Sequence, residues 1–164
     1  MTAEADAVEY TRQHWAESGQ PAAEHFAAMG ALMRTHQLMV NEMDRLLKPH
    51  NLSRTAFLLM ATLLMSREHT RPLGQLSRHL MVHPTTVTLV IDQLAGRDLV
   101  TRRPHPTDRR TVLATLTDEG RRVVAKASDD LGAAQFGLSG VSESLAQRLT
   151  GVLGQVRTKM GDID

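Results

Sequence analysis

Residues 84–120 read PTTVTLVIDQLAGRDLVTRRPHPTDRRTVLATLTDEG, and within them the spacing of the apolar residues changes period twice. Over Pro84–Ala95, the residues Val87, Val90, Ile91 and Leu94 recur at helical spacing, which predicts a helix with one narrow buried stripe. Pro84 suits its first position. With that stripe inward, Thr85, Leu89 and Gln93 point outward and Thr86 and Thr88 lie on the flanks. Short hydrogen-bonding side chains at the start of an exposed helix suit base edges in a major groove; they equally suit caps and solvated surface. After Gly96 the pattern turns β-favouring. LVTRR and TVLATL predict two short strands, and PHPTDR, with two prolines, predicts the turn of a hairpin. Thr117 then reads as the cap of a new helix, with Asp118 and Glu119 placed at the positive end of its dipole.

The charge is placed rather than spread. Formal net charge is only +1 over the chain, yet five arginines lie between Arg97 and Val112 against two acids, Asp98 and Asp108. A hairpin carrying Arg102, Arg103, Arg109 and Arg110 repels itself, so a partner that supplies negative charge is expected.

Working outward, Arg71-Pro72 reads as a break before LGQLSRHL, a short helix with Leu73, Leu76 and Leu80 on one face. Ahead of it, Ser53 reads as the N-cap of a mostly buried helix containing FLLMATLLM. From Pro21 to Leu47, apolar residues at Phe26, Met29, Met33, Val40, Met43 and Leu47 predict one long helix, ended near Lys48-Pro49. A weaker helical pattern spans Val8 to Trp15. At the other end, Leu145, Leu149, Val152, Leu153, Val156 and Met160 predict a helix over Ser142–Met160. The order of helix, short helix, polar-faced helix and arginine hairpin is that of a winged helix-turn-helix. In that arrangement the third helix enters the major groove while the hairpin reaches phosphates and the adjacent minor groove.

A chain of 164 residues is long enough for one domain with a real core. Its composition, 41% hydrophobic and 23% charged, is that of a globular protein, and five aromatic residues leave the core to Leu, Val, Ala and nine Met. The absence of Cys excludes disulfides, thiolate metal sites and thiol redox sensing. The N-terminus lacks a signal-peptide pattern and no stretch approaches 18 apolar residues, so a cytoplasmic location without membrane contact is expected. The eight His form no H-x3-H pair on one helix, and no metal is expected. Nucleophile elbows, phosphate loops and zinc-protease motifs are absent, so neither enzyme activity nor a cofactor is expected. A winged helix used for protein contacts and a metal-responsive regulator remain the competing readings.

The run LGQLSRHLMVHPTTVTLVIDQLAGRDLVTRRPHPTDRRTVLATLTDEG resembles the DNA-binding core of the MarR family of bacterial transcription regulators, whose wing carries a similar D-R-R, a hydrophobic strand and L-T-x-x-G. The resemblance is close over roughly residues 52 to 125 and extends to the flanking helices only in pattern. It implies a mainly α fold with a small β-hairpin wing and N- and C-terminal dimerisation helices. Residues 1–50 and 119–164 would then form the dimerisation region and 51–118 the winged helix-turn-helix. It further implies that Asp108 orients the wing, that Arg110 enters the minor groove and that Arg109, with Arg102 or Arg103, meets phosphate. An aspartate two residues away can hold a guanidinium in its fork geometry.

The chain departs from the family pattern at Leu89 and Gln93, where relatives often carry Arg. Leu89 can meet a thymine methyl and Gln93 an adenine edge; alternatively, readout has moved toward A/T-rich or shape-based recognition. Asp98 stands where Gly is usual. The resemblance also implies a homodimer, with Phe26, Leu145, Leu149, Val152 and Val156 in its interface, bound to pseudo-palindromic double-stranded DNA. It implies a repressor released by a small aromatic or anionic effector, lodged among Met29, Met33, His36, Phe57 and Met60, although methionines there equally suit an ordinary core.

Overall fold

A computed structural model describes residues 6–108 and 110–163. Seven helices and three strands follow one another as α1 (Ala7–Glu17), α2 (Ala23–Leu47), α3 (Arg54–Leu64), β1 (Thr70–Pro72), α4 (Leu73–Leu80), α5 (Pro84–Ala95), β2 (Val100–Pro104), β3 (Val112–Leu116), α6 (Asp118–Ala133) and α7 (Glu143–Lys159). No described helix is long and apolar enough to cross a membrane.

The core is organised around α3. Ser53 caps it, its hydroxyl accepting from the Ala56 N–H at 3.2 Å. The run that follows buries Phe57, Leu59, Met60 and Leu63. Against them pack Leu76 of α4, the α5 stripe of Val87, Val90, Ile91 and Leu94, and the α6 residues Val124, Ala127 and Leu131. Burying a Leu or Val side chain contributes about 1.5–3 kcal/mol each, so these contacts fix the helices relative to one another.

Helix α2 is divided in its surroundings. Val40, Met43 and Leu47 in its second half are buried, whereas Met29, Leu32, Met33 and Leu38 remain exposed. It ends in a 3-10 turn over Lys48–His50, with Asn51 in the left-handed region closing it. Helix α1 lies along the first half of α2, where Trp15 stacks on Phe26 at 4.0 Å. Helix α7, capped by Ser142, buries none of its residues.

The strands form one antiparallel sheet in the order β1-β3-β2. Val100 pairs with Leu116 and Pro104 with Val112, as the hairpin reading predicts. The third strand is a correction to that reading. Arg71-Pro72, expected only as a break, lies in the strand Thr70–Pro72, which pairs with β3 through Thr70↔Thr115, and the two threonine hydroxyls meet at 2.8 Å. Three residues carry no period of their own, so a strand made by a partner 45 residues away leaves no local trace.

Candidate nucleic-acid interface

The α4–α5 turn is closed from both sides. Met81 adopts φ +52 at the end of α4, and the Ser77 hydroxyl donates to the Val82 carbonyl at 2.7 Å. His83 caps α5, its Nδ1 accepting from the Thr85 N–H at 3.3 Å, and Pro84 takes the first helical position. This local geometry presents α5 with Thr85, Thr86, Thr88, Leu89 and Gln93 all exposed. Leu89 stands out as an apolar side chain 57% exposed on an otherwise polar face. Thr88 spends its hydroxyl proton on the Pro84 carbonyl at 3.0 Å, leaving an acceptor lone pair facing outward.

At its other end α5 closes by paired bonds from the Leu99 N–H to the Leu94 carbonyl and from the Asp98 N–H to the Ala95 carbonyl, both 3.0 Å. Asp98, at φ +56, holds the left-handed position of this Schellman closure that glycine usually takes. Arg97 is engaged within the chain. It donates to the carbonyls of Asn51 at 2.6 Å and His50 at 3.4 Å, clamping the α5 end to the α2–α3 corner. The His50 ring in turn contacts Asp130 of α6 at 2.7 Å.

The wing turn is held by Asp108. One carboxylate oxygen accepts from the Arg110 main-chain N–H at 3.0 Å and the other from the Thr111 hydroxyl at 2.6 Å, while the Thr111 N–H donates to the Asp108 carbonyl at 3.0 Å. The Thr111 hydroxyl and the Arg110 N–H hold the Asp108 carboxyl below the usual carboxylate range. The aspartate therefore orders the wing turn through the Arg110 main-chain N–H and the Thr111 hydroxyl rather than by gripping the Arg110 guanidinium, an Asx turn and a side-chain bond occupying its two oxygens within three residues. Arg103 and Arg110 are exposed and make no ion pair among the described residues. Arg102 instead pairs with Asp92 of α5. Arg109 lies outside the described residues.

Helices α4 and α5 and the wing enclose a groove of about 550 Å³, lined among others by Gln75, Arg78, Thr88, Arg102, His105 and Arg110. Three arginines and a histidine thus share a cleft with Thr88 of α5. His83, Asp92 and Arg97 take part in this architecture without having been singled out as site residues. Only a cap at the helix start signals the first, and the other two act through partners 10 and 46 residues distant.

The remaining candidate residues fall in two places. Phe57 and Met60 belong to the hydrophobic core, 4% and 0% exposed, whereas Met29, Met33 and His36 lie exposed along α2. A separate cavity of about 210 Å³ between α1 and α2 is lined by Val8, Thr11, Phe26, Met29 and Arg34 among others. Phe26 and Leu149 are half-buried, and Leu145, Val152 and Val156 are exposed. No group of three potential metal ligands occurs among the described residues. His79 and His83, four apart in sequence, are divided between α4 and the cap of α5.

Helices α3 to α5 with a two-stranded wing define a winged helix-turn-helix protein. The family model described as MarR family matches residues 52–112, from the entry to α3 into β3. Sco5413, a MarR family transcriptional regulator from Streptomyces coelicolor, is 34% identical with a TM-score of 0.80, covering 87% of this chain and 99% of that one. The HTH-type transcriptional regulator MhqR of Bacillus subtilis is 28% identical over 89 residues, 54% of this chain; the match spans 60% of the length of MhqR. Sco3205 of S. coelicolor, a MarR family regulator whose structure is in complex with DNA, shares the fold at TM-score 0.71 and 19% identity over 82% of this chain and 86% of that one. The chain belongs to the MarR family of transcriptional regulators.

Proposed function

We propose that this protein binds double-stranded DNA as a homodimeric transcription regulator, with α5 in the major groove and the wing at the flanking minor groove. The observation that carries this reading is the shared cleft. Thr88 of α5, Arg78 of α4 and Arg110 of the wing border one groove, so a single duplex meets hydrogen-bonding groups and positive charge together. The structure of Sco3205 with DNA supports the same use of the fold.

Dimerisation is supported by α7. Its apolar residues Leu145, Val152 and Val156 and the following Met160 are exposed, as are Met29, Leu32 and Met33 of α2. Exposed apolar side chains clustered on a helix in this way suit an association surface. A two-fold dimer would set its recognition helices about 34 Å apart and read a pseudo-palindromic site. Repression relieved by a small aromatic or anionic effector is the finer reading, drawn from the family resemblance. The effector would bind where the exposed methionines of α2 approach the winged unit in the dimer.

Fluorescence anisotropy of the wild type and Arg110→Ala against duplexes selected from random DNA, at two salt concentrations, tests the reading. Tight, salt-sensitive binding that loses about 1–3 kcal/mol in the variant is expected. Equal affinity for selected and scrambled DNA by both proteins would sink it.

A further inference from the structure

Asp92 and Arg102 belong to different DNA-facing elements. Asp92 lies on the outward side of α5, beside Thr88 and Leu89, and Arg102 on the first wing strand. The two side chains form an ion pair, and neither makes another side-chain hydrogen bond among the described residues. Surface pairs of this kind add little to stability; the location is what matters. Asp92 is the only ionised residue in α5, and Arg102 is the arginine nearest the wing base.

We propose that Asp92 and Arg102 are positioning residues for sequence-specific DNA recognition, the pair setting the wing relative to the recognition helix and withholding Arg102 from the phosphates. The proposal rests on the DNA-binding reading above. Two effects oppose each other at this point. An acidic side chain on the helix that enters the groove repels phosphate, so electrostatics alone says that removing it strengthens binding to any duplex. If the pair instead aligns two reading elements, removing it costs affinity only where both must be in register. The sign of the change on specific DNA therefore separates the two.

The test uses the full chain and a duplex recovered from a random library by the wild type, with a scrambled duplex of equal length. Asp92→Asn is expected to weaken binding to the selected duplex roughly tenfold, while the scrambled duplex binds as tightly as before or more tightly. Its log–log salt dependence should steepen by about one unit as the freed Arg102 acquires a phosphate. Arg102→Ala should lose the same specificity without steepening, and the double variant should lose no more than either single one. Because Asp92 is half-exposed, the melting temperature should stay near that of the wild type; a merely structural role would move it and lower both affinities together. Should Asp92→Asn keep or improve the ratio of specific to scrambled binding, or the two losses add, the proposal is overturned. A wild type that enriches no duplex overturns the underlying DNA-binding reading instead, and the positioning role with it.

Discussion

Gly120 stands directly against the carbonyl of Leu99: a Cβ at position 120 would lie 2.1 Å from that oxygen and 2.8 Å from Cδ1 of Leu116. Three residues earlier, the Thr117 hydroxyl accepts from the Gly120 N–H at 2.9 Å and lies 2.7 Å from the Asp98 carbonyl oxygen, while the Thr117 N–H donates to Leu99 at 3.1 Å. The motif L-T-x-x-G is thus a joint. The threonine caps α6 and ties it to the end of α5, and the glycine lets the helix close on the base of the wing.

Gly120→Ala should therefore destabilise the fold by about 3 kcal/mol, since neither backbone can yield without disturbing the sheet. Thr117→Ala should cost about 1 kcal/mol through loss of the cap. Urea denaturation of both variants checks the order; an alanine at 120 that leaves the midpoint unmoved would contradict the joint.

Leu89 is the exposed apolar residue of α5, and a thymine methyl is the apolar feature of the major groove. Replacing thymines one at a time by uracil in a selected duplex should weaken binding by about 0.8 kcal/mol at the position Leu89 meets. Leu89→Ala should be indifferent to the same replacement. Uniform insensitivity of the wild type would point to recognition by DNA shape.

Val152 is 57% exposed in the chain taken alone. Val152→Asp should leave the folded winged unit intact and shift the mass measured by light scattering from two chains to one. Unchanged mass would move the interface away from α7.

The Asp108 carboxyl sits below the usual carboxylate range because the Thr111 hydroxyl and Arg110 N–H bond its ionised form. A carboxyl depressed in the folded state contributes stability above its unfolded pKa, and that contribution disappears as the pH falls through the folded value. The wing turn should stay ordered at neutral pH and loosen only in acid, below the range in which an ordinary carboxylate takes up its proton. Amide shifts of Arg110 and Thr111, followed by NMR in acid, should change together, and Asp108→Asn should abolish their pH dependence.

Much of this architecture is legible in the chain because prolines and caps punctuate it. Pro72 and Pro84 bracket α4 and the start of α5, and Ser53, Thr117 and Ser142 cap helices where the apolar period begins. What escapes is whatever depends on closure in three dimensions. β1 exists only against Leu113–Thr115, Arg102 meets Asp92 only once the hairpin has folded back, and Arg97 finds its carbonyls 46 and 47 residues away. Asp108 illustrates a subtler limit. Its spacing from Arg110 suggests a charge pair, but the Arg110 main-chain N–H and the Thr111 hydroxyl occupy the carboxylate instead.

The Arg97 clamp holds α5 where it leaves the core. Its far end is fastened to the corner where the long helix α2 turns into α3, and that corner touches α6 through His50 and Asp130. The end of α5, the turn from α2 into α3, and α6 thus meet at one corner, whereas Thr85 lies at the opposite end of α5.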